Sequence, residues 1–358
     1  MKRLNYKYFY PNLDDNVKNN SKKQKYYYNR IPQKKFESIN INDYETIYVF
    51  VITNISYMFN FYKNNSLKMN EKVKNSKILN VSMINENCFM FNDVSFLNNT
   101  KHLYVIDDVI LNILSNTYLY KKKLKKDIIQ FVNYSNFIYI SAELFYTDKL
   151  FYTGLSTENF EFIKMFLLKS KQNYVLNTQN IILMHQHGIS SNYYPSYQFE
   201  NIELTKNEKT IDVLFYGNNP KVGFLYVFNH RNNIINNLKI YSEENNIKFE
   251  NYDNLYDKDE ILSKTKIVLQ IPNYKNFHSY PWAKTLELIN KKVFFIIEEN
   301  EEMYIQKLDK YVIYYKRNDL NNLYELINYY LKNENERIKV INKCFDYVKN
   351  KYTYDVFI

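Results

Sequence analysis

Short apolar runs alternate with helix-length amphipathic stretches along most of this chain, and the alternation occurs twice. In the first block the strand candidates are Thr46–Ile52, Lys77–Ser82, Leu103–Asp107, Asn136–Ser141 and Ile181–His185, with helical spacing over 108–123 and 157–169. In the second they are Ile211–Tyr216, Lys248–Asn251, Lys266–Ile271, Lys292–Ile297 and Tyr311–Tyr315, separated by helical stretches over 226–244, 258–263, 282–290 and 318–331. Strands that alternate with helices pair in parallel, because the return to the same edge needs a crossover, and the crossover helices then cover both faces of the sheet. The pattern therefore predicts an α/β protein with two alternating blocks, each a parallel sheet covered by helices on both faces.

The polar stretch 191–209 lacks periodicity and reads as a linker. The expected organisation is a basic extension over 1–40, an N-terminal domain over 41–205, a C-terminal domain over 206–334, and a helix over 335–358 that packs near the domain junction. A chain of 358 residues is long enough for two such cores, and at 46% hydrophobic residues it has the material to fill them.

Thirty-eight tyrosines, many Asn, Lys and Ile, and only 4 glycines point to an AT-rich genome, so lysine and asparagine runs carry little information while each glycine or arginine carries more. The formal net charge of +10 favours anionic partners, although the early run "KNNSKKQKYYYNRIPQKK" is expected to be a solvated tail. Cys88 and Cys344 stand alone, without a CxxC or Cys/His cluster, which argues against a disulfide framework or a zinc site. The start of the chain lacks a signal-peptide core, and the strongest apolar run is broken by Thr53, Asn54, Ser56 and Asn60. A cytoplasmic protein without an integral membrane segment is expected, in the host cytoplasm if the source is viral.

Ligands of open parallel sheets bind beyond the carboxyl ends of the strands. Gly217 and Asn218 follow the first strand of the second block, where a glycine serves either a tight turn or close approach of a phosphate to backbone N–H groups. His230 and Arg231 lie on the next helix; the arginine is either a solvated helix residue or a bidentate phosphate ligand. The stretch Ile271–Asn300 carries Tyr280, the only tryptophan at 282, Lys284 and Glu287. Lys284 and Glu287 share one helical face, as an ion pair or as a diphosphate contact beside a ribose contact. In the first block Asp107, Glu143 and His185 close strand candidates and are possible general bases. His185-x-His187 lacks a third ligand for a metal, and Asp257-x-Asp259 reads as a helix cap.

The series "IDVLFYGN", "HRNNIINNL", "ILSKTKIVLQI" and "WAKTLELINKKVFFIIEE" resembles the C-terminal domain of group-1-type glycosyltransferases of the spore-maturation-protein (CgeB-like) branch, over about residues 210–350. Lys284 falls where that family usually has arginine, Glu287 matches its helix glutamate, and Glu298 matches the glutamate that closes its last motif. "ILMHQHGIS" is similar to the segment that brings a Pro-Gly turn to the cleft, without the proline. The resemblance implies the GT-B architecture, two Rossmann-like domains facing across a cleft, and a glycosyltransferase that moves a sugar from a nucleoside-diphosphate donor to a glycan, protein or small-molecule acceptor. It implies no cofactor and no metal, with Gly217, Asn218, His230, Arg231, Tyr280, Lys284 and Glu287 at the donor and Glu143, Asp107 or His185 as base. The alternative is a catalytically inactive relative acting as a structural or nucleic-acid-binding protein, with nucleic acid the less favoured partner.

Overall fold

The computed structural model describes residues 41–53, 75–82, 99–141, 160–175, 178–193, 202–217, 225–252, 258–272, 282–300 and 307–351, with single positions between them. The N-terminal extension, Glu143, Asn218, Asp257 and Tyr280 lie outside the described residues. The remainder forms two compact units, one from residues below 194 and one from residues above 201, excluding the chain ends.

The first unit is a six-stranded sheet. Its strands are β1 (Thr46–Thr53), β2 (Ser76–Ser82), β3 (His102–Asp107), β4 (Asn136–Ser141), β5 (Asn173–Val175) and β6 (Asn192–Tyr193), in the order β2-β1-β3-β4-β5-β6. Every pairing is parallel. Among the described residues four helices accompany it: α1 (Asp108–Tyr120), α2 (Lys125–Tyr134), α3 (Phe160–Lys169) and α4 (Thr178–Gln186). Leu103, Val105, Ile138 and Ile140 pack into a core on one face of the sheet. The alternate residues Tyr104, Ile106, Phe137 and Tyr139 are equally buried, as expected of strands covered on both sides.

One element differs from expectation. Ile181–His185 is not a strand but part of α4, and the strand at that place in the sheet is β5. A five-residue apolar run has no period of its own, so a strand and a buried helical turn look alike. In the structure Ile181 and Met184, three apart, are buried while His185 points outward, which is helical spacing.

The second unit is a five-stranded parallel sheet of β7 (Ile211–Tyr216), β8 (Phe249–Tyr252), β9 (Thr265–Gln270), β10 (Phe295–Glu298) and β11 (Ile313–Tyr315), in the order β11-β10-β9-β7-β8. The connecting helices are α5 (Leu225–Glu244), α6 (Lys258–Ser263) and α7 (Trp282–Asn290), followed by α8 (Leu320–Lys332) and α9 (Glu334–Lys351). β10 starts later than the apolar run suggests because Lys292 takes left-handed backbone angles, φ 50°, in the turn before it. Val213, Phe215, Ile267, Leu269 and Ile296 on one face pack with Ile234, Ile235 and Leu238 of α5 and Leu323 and Ile327 of α8. Tyr241 and Tyr324 stack between those two helices at 3.8 Å. α9 buries Ile341, Cys344, Phe345 and Val348 and lies against α7 and α8. Among the described residues no helix is long and apolar enough to cross a membrane.

Candidate functional site

The chain leaves β7 for its outer neighbour β8, then crosses back past β7 to β9. The connections after β7 and β9 therefore diverge to opposite faces and leave a crevice at their carboxyl ends, the place where doubly wound sheets hold ligands. Of the sequence candidates, Gly217, Arg231 and Lys284 converge here. Gly217 follows β7, and its N–H donates to the Tyr252 carbonyl at the end of β8, 3.0 Å. Its φ of +151° is a conformation side chains rarely adopt.

Arg231 projects from α5, the helix after β7, yet it serves the other strand: its Nε and one terminal nitrogen donate to the Ile271 carbonyl just past β9, at 3.2 and 2.9 Å. Lys284 projects from α7, the helix after β9, and donates in turn to the Tyr216 carbonyl at the end of β7. The guanidinium lies over the Phe215 ring at 5.3 Å and the ammonium over the Tyr216 ring at 3.8 Å. Two cations thus cross the crevice in opposite directions and rest on strand-end carbonyls and aromatic faces. Burial holds the Lys284 ammonium well below its usual range, Arg231 and Lys258 push the same way, and Glu287 opposes them.

Glu287 does not pair with Lys284. Its carboxylate meets Lys291 at 2.9 Å and Lys258 at 3.6 Å, and Lys291 continues to Asp259 at 2.6 Å. Asp259, in the first turn of α6, is thus part of an ion-pair chain beside the site.

His230 turns to the next strand. Its Nε2 lies 2.6 Å from Oε2 of Glu298, the last residue of β10, and the Tyr315 hydroxyl donates to the same oxygen at 3.1 Å. The Glu298 side chain is 2% exposed, and its other oxygen, Oε1, has no hydrogen-bond partner. Burial and the Glu298 carboxylate push the Tyr315 phenol well above its usual range. Tyr315 was not a sequence candidate, since one tyrosine among 38 gives no signal.

In the first unit, Asp107 ends β3 and caps α1, accepting the Ile110 N–H at 2.9 Å. Burial pushes its carboxyl up to about 7, against the backbone hydrogen bonds that favour the anion. The next residue, Asp108, is buried and accepts the Tyr139 hydroxyl. His185 is exposed in the last turn of α4 rather than at a strand end. The "HQHGI" segment closes that helix: Ile189 N–H reaches the Met184 carbonyl and Gly188 N–H the His185 carbonyl, both at 3.0 Å, with Gly188 at φ 74°. This is the paired 6→1 and 5→2 closure of a helix C-terminus. Among the described residues no three His, Cys, Asp or Glu side chains group as metal ligands would.

No known family profile matches the sequence, and no curated protein matches it. Solved structures do match. HepE from Anabaena, solved in complex with UDP, superposes with a TM-score of 0.55 at 6% identity, over 87% of this chain and 97% of that one. The fold is of the GT-B class. T4 phage β-glucosyltransferase matches with a TM-score of 0.48 at 13% identity over 86% of this chain and 95% of its own. S. aureus TarM matches with a TM-score of 0.49 at 10% identity over 73% of this chain, which spans only 54% of TarM.

Proposed function

We propose that the second unit binds a nucleoside-diphosphate sugar and that the chain is a metal-independent glycosyltransferase. The observation that carries the proposal is the crossing of Arg231 and Lys284 at the β7/β9 crevice. Two like charges brought together against a desolvation cost are offset by a bound anion, and a diphosphate spans two cations. HepE shares the fold and was solved with UDP, and the proposal carries that ligand class to this chain. The CgeB-like resemblance and the hexosyl or deoxyhexosyl substrate class belong to the same proposal.

In the reaction, the acceptor oxygen bonds to the anomeric carbon as the bond from that carbon to the diphosphate breaks. The diphosphate leaves with the bonding pair, and Arg231 and Lys284 meet its growing charge. Glu143, Asp107 and His185 of the first unit are the candidate bases for the acceptor proton, and the Asp107 carboxyl, raised to about 7 by burial, exchanges protons near neutrality. His185, exposed at a helix end, has no partner geometry of that kind among the described residues.

Thermal unfolding with UDP, GDP, ADP, CDP and dTDP and their sugars tests the proposal at high salt. A ligand at 100 times its dissociation constant stabilises by about 2.7 kcal/mol, so one nucleotide should raise the wild-type midpoint while Arg231→Met and Lys284→Met respond far less. Failure of every nucleotide to stabilise the wild type would sink the reading.

A further inference from the structure

Glu298 carries an unfilled acceptor. A carboxylate offers about four lone-pair sites, yet both of its donors, His230 and Tyr315, fall on Oε2 while Oε1 is buried without a partner. It is the only carboxylate oxygen among the described residues in that condition, and burying an unmet charged acceptor is among the costlier states a side chain can hold.

The position of Glu298 says what could meet that oxygen. The β9–β10 register pairs Ile297 with Gln270, so Glu298 stands level with Ile271, whose carbonyl holds Arg231. Adjacent strands are spaced about 5 Å apart. His230, which fixes the carboxylate, is the residue before Arg231 on the same helix. The unmet acceptor and the cation therefore sit one strand apart at the same sheet edge, about the distance from a phosphate to the first hydroxyls of a sugar joined to it. An ionised carboxylate only accepts, so the complementary ligand group is a donor.

From this we infer that Glu298 recognises a sugar hydroxyl, whose O–H donates to Oε1 while the attached diphosphate rests on Arg231 and Lys284. His230 and Tyr315 act as positioning residues that hold Oε2 and leave Oε1 to the ligand. The inference rests on the donor-site reading given above. The hydroxyl belongs either to the ribose or to the transferred sugar, and binding measurements separate the two.

The test is calorimetric titration of the full chain, wild type and Glu298→Gln, with inorganic pyrophosphate, UDP and UDP-glucose, using GDP and GDP-mannose where the base selects against uracil. The amide keeps the shape but lets a donor take the place of Oε1. Pyrophosphate affinity should stay within about twofold, while a hydroxyl-bearing ligand loses about tenfold or more, the scale of a hydrogen bond to a charged group. Equal loss for UDP and UDP-glucose assigns the ribose; loss for UDP-glucose alone assigns the transferred sugar. Equal affinities throughout, or a matching loss for pyrophosphate, overturn the inference. Should Glu298→Gln fail to fold, Glu298→Asp keeps the charge but withdraws it by one methylene, and the same selective loss is expected. If the wild type binds neither pyrophosphate nor any nucleotide, the donor-site reading itself fails and this inference falls with it.

Discussion

Lys284 should make diphosphate binding take up a proton. Its ammonium is held well below the usual lysine range by burial, with Arg231 and Lys258 adding to the depression and Glu287 opposing it. A bound diphosphate places negative charge against the same group and raises its pKa again. Between the two values the unliganded amine is neutral and the liganded one charged, so binding draws in up to one proton. The affinity then falls by as much as tenfold per pH unit, about 1.36 kcal/mol, as pH rises through that window. The unliganded protein behaves in the opposite sense. An amine whose folded pKa lies below its unfolded value weakens the fold while protonated, so this contribution to stability improves as pH rises from the folded value toward 10.5. Above about pH 7.5 the terminal phosphate is fully ionised and contributes no uptake of its own. Titrating UDP from pH 7.5 to 9.5 in two buffers of different ionisation enthalpy measures the uptake directly. Lys284→Met should abolish it, and equal uptake by the variant and the wild type would refute the reasoning.

Three further outcomes are expected. Gly217→Ala should destabilise the second unit by about 1–3 kcal/mol in urea titration through backbone strain, because the added Cβ meets Phe215 at 3.5 Å and Arg231 at 3.9 Å, ordinary contact distances; a neutral result would contradict the positive φ. Arg337→Met should cost about 1–3 kcal/mol while leaving nucleotide affinity unchanged, since the buried guanidinium donates to the Tyr330 and Leu331 carbonyls at the end of α8 and interacts with the Asp212 carboxylate near the start of β7, the opposite end of that strand from the crevice. In a Cys88→Ser background, labelling of Cys344 by a thiol reagent should follow global unfolding rather than precede it, because burial pushes that thiol up to about 12; rapid labelling of the native protein would contradict its place in the α9 core.

The strands that flank the crevice were legible because burial on both faces writes a continuous apolar run, as in "IDVLFY" and "KIVLQI". β5 was not, since it is three residues long and opens on Asn173, a buried asparagine that bonds the Leu167 and Ser190 carbonyls. α2 was hidden by its charge: only Ile128, Phe131 and Val132 are buried along a lysine-rich stretch. That Gly217, Arg231 and Lys284 approach one another follows from strand order alone, because the elements after strands one and three of a doubly wound sheet meet at their carboxyl ends. The His230–Glu298–Tyr315 contact spans 68 and 17 residues of sequence. It depends on which face of each element turns inward, and a tyrosine-rich composition conceals the third member.

The crossed placement of Arg231 and Lys284 also bears on the entropy of binding. Immobilising a long side chain at an interface costs about 0.5–1.5 kcal/mol, and here both are already held on strand-end carbonyls. A diphosphate arriving at the crevice would exchange one set of hydrogen bonds for another instead of recruiting two mobile cations from solvent. Because each cation is borne by the helix of one strand and anchored to the end of the other, the spacing between the charges is set by the β7–β9 pairing. On the donor-site reading proposed above, the sheet itself would be the ruler against which a ligand's two phosphates are measured.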